Sequence, residues 1–150
     1  MSNKVRIAQI GVGQIGRHHL NTYKGIPDAE VVAVCDVRRD EAERVAAEYG
    51  IANVYTDYQE MLKRDDIDSV DVCLHNRLHM PMTVAVLEAG KNCYCEKPMS
   101  WTYRDAKVMY DKAKETGKLL HIQLGTLYDA NARGAKRAIE AGLLGDVYFA

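Results

Sequence analysis

KVRIAQIGVGQIG, residues 4–16, is the stretch on which the fold turns. Val5, Ile7, Ala8, Ile10 and Val12 make a short, mostly apolar run, which suits a buried strand. Gly11, Gly13 and Gly16 then break it with the spacing G-x-G-x-x-G, and a helix-like run follows from Gln14. In that spacing one glycine makes a tight turn, the next lets the backbone come close to a pyrophosphate, and the third lets helix and strand pack closely. The helix start beyond offers free N–H groups and a partial positive charge to phosphate oxygens. Taken alone, the spelling also fits a glycine-rich turn with no ligand, so the flanks decide.

Outward from this turn, strand-like and helix-like runs alternate. The helix from Gln14 spans residues 14–24 and is ended by Gly25 and Pro27. Ala29–Cys35 is a second apolar strand, closing on Asp36. Asp40 with Glu43 spells a capping box for a helix to Tyr49, stopped by Gly50. A short strand is expected at residues 53–56, and Asp57 with Glu60 repeats the capping box for a brief helix. Strands are expected at 69–74, 91–95 and 118–124, and helices at 78–89, at 102–116 capped by Thr102 with Asp105, and at 131–141. Residues 146–150 read as the start of one more strand. Such alternation with short connections calls for a doubly wound, mostly parallel sheet with helices on both faces, the Rossmann arrangement.

The totals narrow the class. A chain of 150 residues is one domain's worth. Twenty basic against 21 acidic residues give a formal net charge of -1 with no like-charged run, so nothing favours nucleic acid or an anionic membrane. Apolar runs stop well short of the roughly 20 residues that span a bilayer. The N-terminus does not read as a signal peptide, so a cytoplasmic protein is expected. Cys35, Cys73, Cys93 and Cys95 each fall in an apolar run and lack the partners of a metal-site spacing, which predicts buried, reduced thiols and no metal. No internal repeat or linker stands out. The last strand ends the chain without a turn or tail, which predicts a first domain whose second, substrate-binding domain lies outside these residues.

In an open parallel sheet the ligand sits beyond the carboxyl ends of the strands. After the first strand comes the glycine turn. After the second comes Asp36, twenty residues past Gly16, where a carboxylate accepts hydrogen bonds from an adenosine ribose. Strand, glycines, helix, strand and acid in this order point to a dinucleotide. A carboxylate there repels the ribose phosphate of NADP, which favours NAD, whereas Arg38 or Arg39 could reach such a phosphate and leaves NADP open. After the fourth strand stand His75, Asn76, Arg77 and His79, polar groups that can line the middle of a dinucleotide or pack as surface residues. After the fifth comes Glu96-Lys97-Pro98. A lysine can act as acid or base once burial and a neighbouring cation disfavour its charged form, and an oxidised nicotinamide is such a cation. From spacing alone, an exposed lysine in a salt bridge with a nearby acid is the better reading.

IGVGQIGRHH, VVAVCD, LHNRLHMPMTVAVLEAGKNCYCEKPMS and GLLGDVYFA together resemble the glucose–fructose oxidoreductase and inositol dehydrogenase family (Gfo/Idh/MocA), over essentially the whole chain. The most specific part is AGKNCYCEKP, similar to the family's A-G-K-x-x-x-x-E-K-P. The resemblance implies a Rossmann domain that binds NAD or NADP, followed by a second α/β domain that supplies much of a sugar or cyclitol site and a homo-oligomer interface. It implies that Gly11, Gly13, Gln14, Ile15 and Gly16 hold the pyrophosphate and that Asp36, with Arg38 nearby, holds the adenosine ribose. His75-Asn76-Arg77-Leu78-His79 matches a family Thr-Pro-Asn-x-x-His; Asn76 and His79 fit, while His75 and Arg77 depart from it. Glu96 and Lys97 match the pair beside the nicotinamide, with Lys97 in the catalytic position. Where many members carry an arginine after the sixth strand, this chain has Thr126-Leu127-Tyr128.

The implied activity is oxidation of a secondary alcohol of a sugar, sugar derivative or cyclitol, with hydride passing to nicotinamide. Family members usually place a helping histidine in the second domain, so these 150 residues by themselves are expected to bind cofactor and turn over little. Two other readings stand beside it. One is a redox-neutral glycosidase with tightly held NAD; the other is a dinucleotide-binding module without catalysis.

Overall fold

The computed structural model describes residues 4–148. Strands β1 (Val5–Ile10), β2 (Ala29–Cys35), β3 (Asn53–Tyr55), β4 (Ser69–Val72), β5 (Asn92–Cys95) and β6 (Leu120–Ile122) form one sheet, in the order β3-β2-β1-β4-β5-β6. Every pairing is parallel. The order reverses between β1 and β4, so the crevice at the carboxyl ends of those strands is where a ligand fits in such a sheet.

Helices α1 (Gln14–Tyr23), α2 (Arg39–Tyr49), α3 (Tyr58–Leu62), α4 (Asn76–Glu88), α5 (Tyr103–Thr116) and α6 (Ala130–Glu140) connect and follow the strands. The alternation of side chains along β2 assigns residues to two cores. Val34 packs with Leu20 of α1 and Val45 and Ala46 of α2, beside Val12 and Ile51. Its neighbours Ala33 and Cys35 belong to the larger core with Met61, Val86, Leu87 and Met109 from α3, α4 and α5. The sheet is therefore covered on both faces, as the alternation of elements predicts.

Most boundaries fall within a residue or two of expectation, and the departures have local causes. The capping box of Asp40 and Glu43 does not form. Asp36 accepts from the backbone N–H of Arg38 at 3.0 Å, the helix begins at Arg39, and Asp40 falls inside the first turn. Asp57 does cap α3, accepting from the Gln59 N–H at 2.8 Å, but Glu60 turns to Lys63 instead of back to the cap. Thr102 caps α5 as expected, accepting from the Asp105 N–H at 3.1 Å. β4 ends at Val72, so Cys73 lies just past it, and α4 starts earlier than expected, at Asn76, and carries Pro81 inside it. β6 is limited to three residues by the length of its pairing with β5. Of the strand expected at 146–150, residues 146–148 are not in a strand, and 149–150 lie outside the described residues.

Cys35, Cys93 and Cys95 are buried, Cys73 is half-buried, and all four are unpaired. Burial, reinforced by nearby carboxylates, pushes the thiols of Cys35 and Cys95 up to about 12. Among the described residues no helix is long and apolar enough to cross a membrane.

Candidate functional site

The glycine turn divides its work as its spacing requires. Gly11 has φ +92°, and a β-carbon there would lie 2.2 Å from the Cys73 carbonyl oxygen, so only glycine fits between β1 and the end of β4. A β-carbon on Gly16 would lie 2.2 Å from the Gly11 carbonyl oxygen, so the first turn of α1 presses directly on the loop. Gly13 meets nothing within 4 Å. That open side, followed by exposed Gln14 and Ile15, faces the unshared N–H groups of a helix start, which carries no side-chain cap. Tight where the protein packs and open where a phosphate would approach, the loop fits the pyrophosphate of a dinucleotide.

Asp36 stands at the end of β2, where its carboxylate has two backbone partners. One oxygen accepts from the Val12 N–H at 3.1 Å and the other from the Arg38 N–H at 3.0 Å. It thus fixes the glycine loop to β2, and its remaining lone pairs stay free for ribose hydroxyls. The Arg38 guanidinium lies 3.6 Å from the same carboxylate and is mostly exposed. Arg39 points elsewhere, to Glu43 at 2.9 Å.

His75 and Asn76 are exposed at the start of α4, with His75 in the N-cap position. His79, also expected at the cofactor, is placed differently. It is 0% exposed, with Nδ1 2.7 Å from the Pro98 carbonyl oxygen and Nε2 3.0 Å from that of Leu74. Both ring nitrogens face backbone carbonyls inside the protein, and the ring lies between the turns after β4 and β5.

Lys97 is exposed just beyond β5, and its peptide bond to Pro98 is cis. Its N–H donates to the Glu96 carboxylate at 2.9 Å. The other Glu96 oxygen leads inward to a polar cluster that sequence reasoning missed. His19 of α1 lies with Nε2 3.0 Å from Glu96 and Nδ1 2.8 Å from Asp71 of β4. Asp71 is itself 0% exposed and also accepts from the Tyr23 hydroxyl at 2.9 Å and the Cys73 thiol at 3.4 Å. His19 Nδ1, Asp71 and Cys73 present metal-ligand atom types within 4.8 Å of one another, but at hydrogen-bond separations of 2.8 to 3.4 Å.

Carboxylates only accept, so an imidazole donating to both carries a proton on each nitrogen. Burial alone would lower the His19 pKa; the hydrogen bond and charge of Asp71, together with Glu96, outweigh it and hold the pKa above the usual 6.5. Burial, with Asp71 adding to it, pushes Tyr23 and Cys73 well above their ordinary ranges, so both stay neutral donors.

Gln9 was missed as well. It is buried under the loop, donates to the Gly11 carbonyl at 2.9 Å, and its own carbonyl oxygen has no partner among the described residues. Gln9 pairs in register with Asp71, and Asp71 with Tyr94, so one sheet face carries a polar row in strands otherwise apolar. That interruption, in RIAQI and SVDVC, is the signal from which they could have been found.

Comparison with known proteins agrees with this geometry. Residues 5–124 match the family described as an oxidoreductase family, NAD-binding Rossmann fold. The D-glucoside 3-dehydrogenase of Escherichia coli K12 is 37% identical over 148 residues, covering 98% of this chain and 42% of the relative. The scyllo-inositol 2-dehydrogenase (NAD(+)) of Bacillus subtilis 168 is 34% identical, covering 99% of this chain and 44% of the relative. A point variant of a 3-ketoreductase from Actinomadura kijaniata, solved with TDP-benzene and NADP, superposes with a TM-score of 0.91 at 30% identity, covering 97% of this chain and 45% of the other. The chain therefore spans less than half the length of these relatives. With the loop, the sheet order and these matches together, the chain belongs to the Gfo/Idh/MocA oxidoreductase family and carries its NAD-binding Rossmann fold.

Proposed function

We propose that this chain is the cofactor-binding domain of an NAD-dependent dehydrogenase that oxidises a secondary alcohol of a sugar, sugar derivative or cyclitol. The observation that carries the reading is Lys97. It is exposed at the carboxyl end of β5, on the same edge of the sheet as the open side of Gly13. Gly11, Gly13, Gln14, Ile15 and Gly16 hold the pyrophosphate, Asp36 and Arg38 the adenosine ribose, and His75, Asn76 and Glu96 line the way to the reactive end. Bound NAD supplies the hydride acceptor. Lys97, carried on the turn after β5, would take the hydroxyl proton of the substrate. The Asp36 carboxylate favours NAD over NADP because it opposes a ribose phosphate.

A second domain following this one supplies the remaining substrate groups and an oligomer interface. Two facts support it: the chain spans 42% of its glucoside dehydrogenase relative, and α6 has no buried residue and leaves Ile139 exposed. On the same reading the whole protein works as a cytoplasmic homo-oligomer.

The test is steady-state NAD reduction by the full-length protein over a panel of sugars and cyclitols. Free NADH should accumulate, and Lys97→Ala should lower kcat by about 10²–10⁴-fold with little change in NAD affinity. Turnover without NADH release would favour the redox-neutral glycosidase instead. An unchanged kcat in Lys97→Ala would remove the catalytic role.

A further inference from the structure

Lys97 is exposed, yet both of its chain neighbours are held from inside the protein. On one side the Pro98 carbonyl oxygen lies 2.7 Å from Nδ1 of buried His79. On the other, Glu96 has both carboxylate oxygens engaged, one by the Lys97 N–H at 2.9 Å and one by His19 Nε2 at 3.0 Å. The Glu96 side chain is only 13% exposed and His19 only 7%. His19 belongs to α1, three residues beyond Gly16, so the same helix that opens at the glycine loop reaches across to the turn bearing Lys97. Its far nitrogen is locked by Asp71, which the Tyr23 hydroxyl and the Cys73 thiol hold in turn.

We propose that His19 is a positioning residue for Lys97: bridging Asp71 and Glu96, it fixes the Glu96-Lys97 turn to the helix that begins at the glycine loop. The inference rests on the proposed catalytic role of Lys97. It assigns His19 no contact with substrate or cofactor. A lysine on a freely moving turn would sample many positions, and a displacement of about 1 Å at a reacting group can cost on the order of 10²-fold in rate. The bridge removes that freedom at one flank and His79 removes it at the other. Asp71 is buried in a central strand, where a carboxylate is costly unless it is paired, and of its three partners the histidine is the one that also reaches Glu96.

The experiment is a double-mutant cycle in the full-length protein, with His19→Ala and His19→Gln each made alone and on a Lys97→Ala background. His19→Ala is expected to lower kcat by about tenfold or more while the calorimetric NAD Kd stays within about threefold. His19→Gln is expected to recover part of that loss, because its amide can still donate to Glu96. On the Lys97→Ala background either change should cost less than about twofold, since the group being positioned is gone. Independent of turnover, backbone amide exchange of a peptide covering residues 96–98 should quicken in His19→Gln, while a peptide covering the glycine loop keeps its wild-type rate.

Equal fold-losses on both backgrounds would make His19 merely structural and overturn the proposal. So would a fall in NAD affinity as large as the fall in kcat, or unchanged exchange at 96–98. If His19→Ala does not fold, the His19→Gln arms decide by the same comparison. If Lys97→Ala alone keeps wild-type kcat, the catalytic reading of Lys97 fails and this inference with it, an outcome distinct from equal losses around a slow Lys97→Ala enzyme.

Discussion

Gly16 sits against Gly11 so closely that a methyl group on it would lie 2.2 Å from the Gly11 carbonyl oxygen and 2.5 Å from the Gln9 amide nitrogen. The carbonyl is backbone and cannot swing aside. Gly13, two residues after Gly11, has nothing within 4 Å of the same position. The two glycines therefore fail differently when changed to alanine. Gly16→Ala should destabilise by about 1–3 kcal/mol, the usual range for overpacking, and lower the urea midpoint. Gly13→Ala should keep that midpoint and weaken NAD binding in calorimetry. If the two variants lost stability alike, the open side of the loop would not be where the pyrophosphate docks.

Asp36 acts on the loop through its hydrogen bond from the Val12 N–H and on the cofactor through its charge. Asp36→Asn retains an acceptor for Val12 and removes the charge, which also frees Arg38 from its 3.6 Å contact with the carboxylate. The ratio of NADP to NAD affinity should then rise by about tenfold or more, equivalent to roughly 1.4 kcal/mol. Titration of both cofactors against wild type and variant measures this directly. A ratio that does not move would place the adenosine ribose elsewhere.

His79 is the second anchor of the Lys97 turn, with ring nitrogens 2.7 Å and 3.0 Å from the carbonyl oxygens of Pro98 and Leu74. His79→Leu fills much of the same space and leaves the carbonyl served by the ring N–H without a donor in the interior. An unsatisfied buried polar group costs about 1–3 kcal/mol, so the denaturant midpoint should fall by an amount in that range. Were the variant as stable as wild type with weakened NAD binding, His79 would be a cofactor contact after all.

How far these relations could be read in the sequence depends on their range along the chain. The sheet, its parallel order and the helices on both faces follow from local alternation of apolar runs with caps and glycines, and Thr102 and Gly117 end α5 as their residue types require. Gly11, Gly13 and Asp36 could be singled out as candidates because the chemistry proposed for them is tied to fixed spacing from β1. The Asp40 box failed because the chain turns into the helix earlier: Asp36 takes the Arg38 N–H, the helix begins at Arg39, and Asp40 is left inside the first turn, where it cannot act as a cap. His19, Asp71 and Glu96 were not legible as a unit. They come from α1, β4 and the end of β5, 52 and 77 residues apart in the pairs that His19 makes, and only the switch in strand order brings them together. His79 had the right position in a motif, but which way its ring points is decided by the packing of α4 on the turn after β5.

The ion pair of His19 with Asp71 also couples stability to pH, with a definite sign. Desolvation opposes the charged ring, but Asp71 and Glu96 prevail and raise its folded pKa above the ordinary 6.5. Facing it are His18 and Tyr23 from α1, Asp71 and Cys73 from β4 and the residue beyond, and Tyr94 and Glu96 from β5 and its end. Tyr23, Cys73 and Tyr94 are all pushed upward, chiefly by burial, so they remain neutral through the range that matters. Below about pH 6.5 His19 is charged in both folded and unfolded chains, and the stabilisation is fully present. Above it the unfolded ring gives up its proton first, and the contribution is lost as pH climbs through the raised folded value. The difference in urea midpoint between wild type and His19→Gln should therefore be largest near pH 6 and shrink steadily on the alkaline side. A difference that stayed flat from pH 6 to 9 would mean that His19 is not held as a cation, and a difference that grew would mean that its pKa is lowered by burial instead.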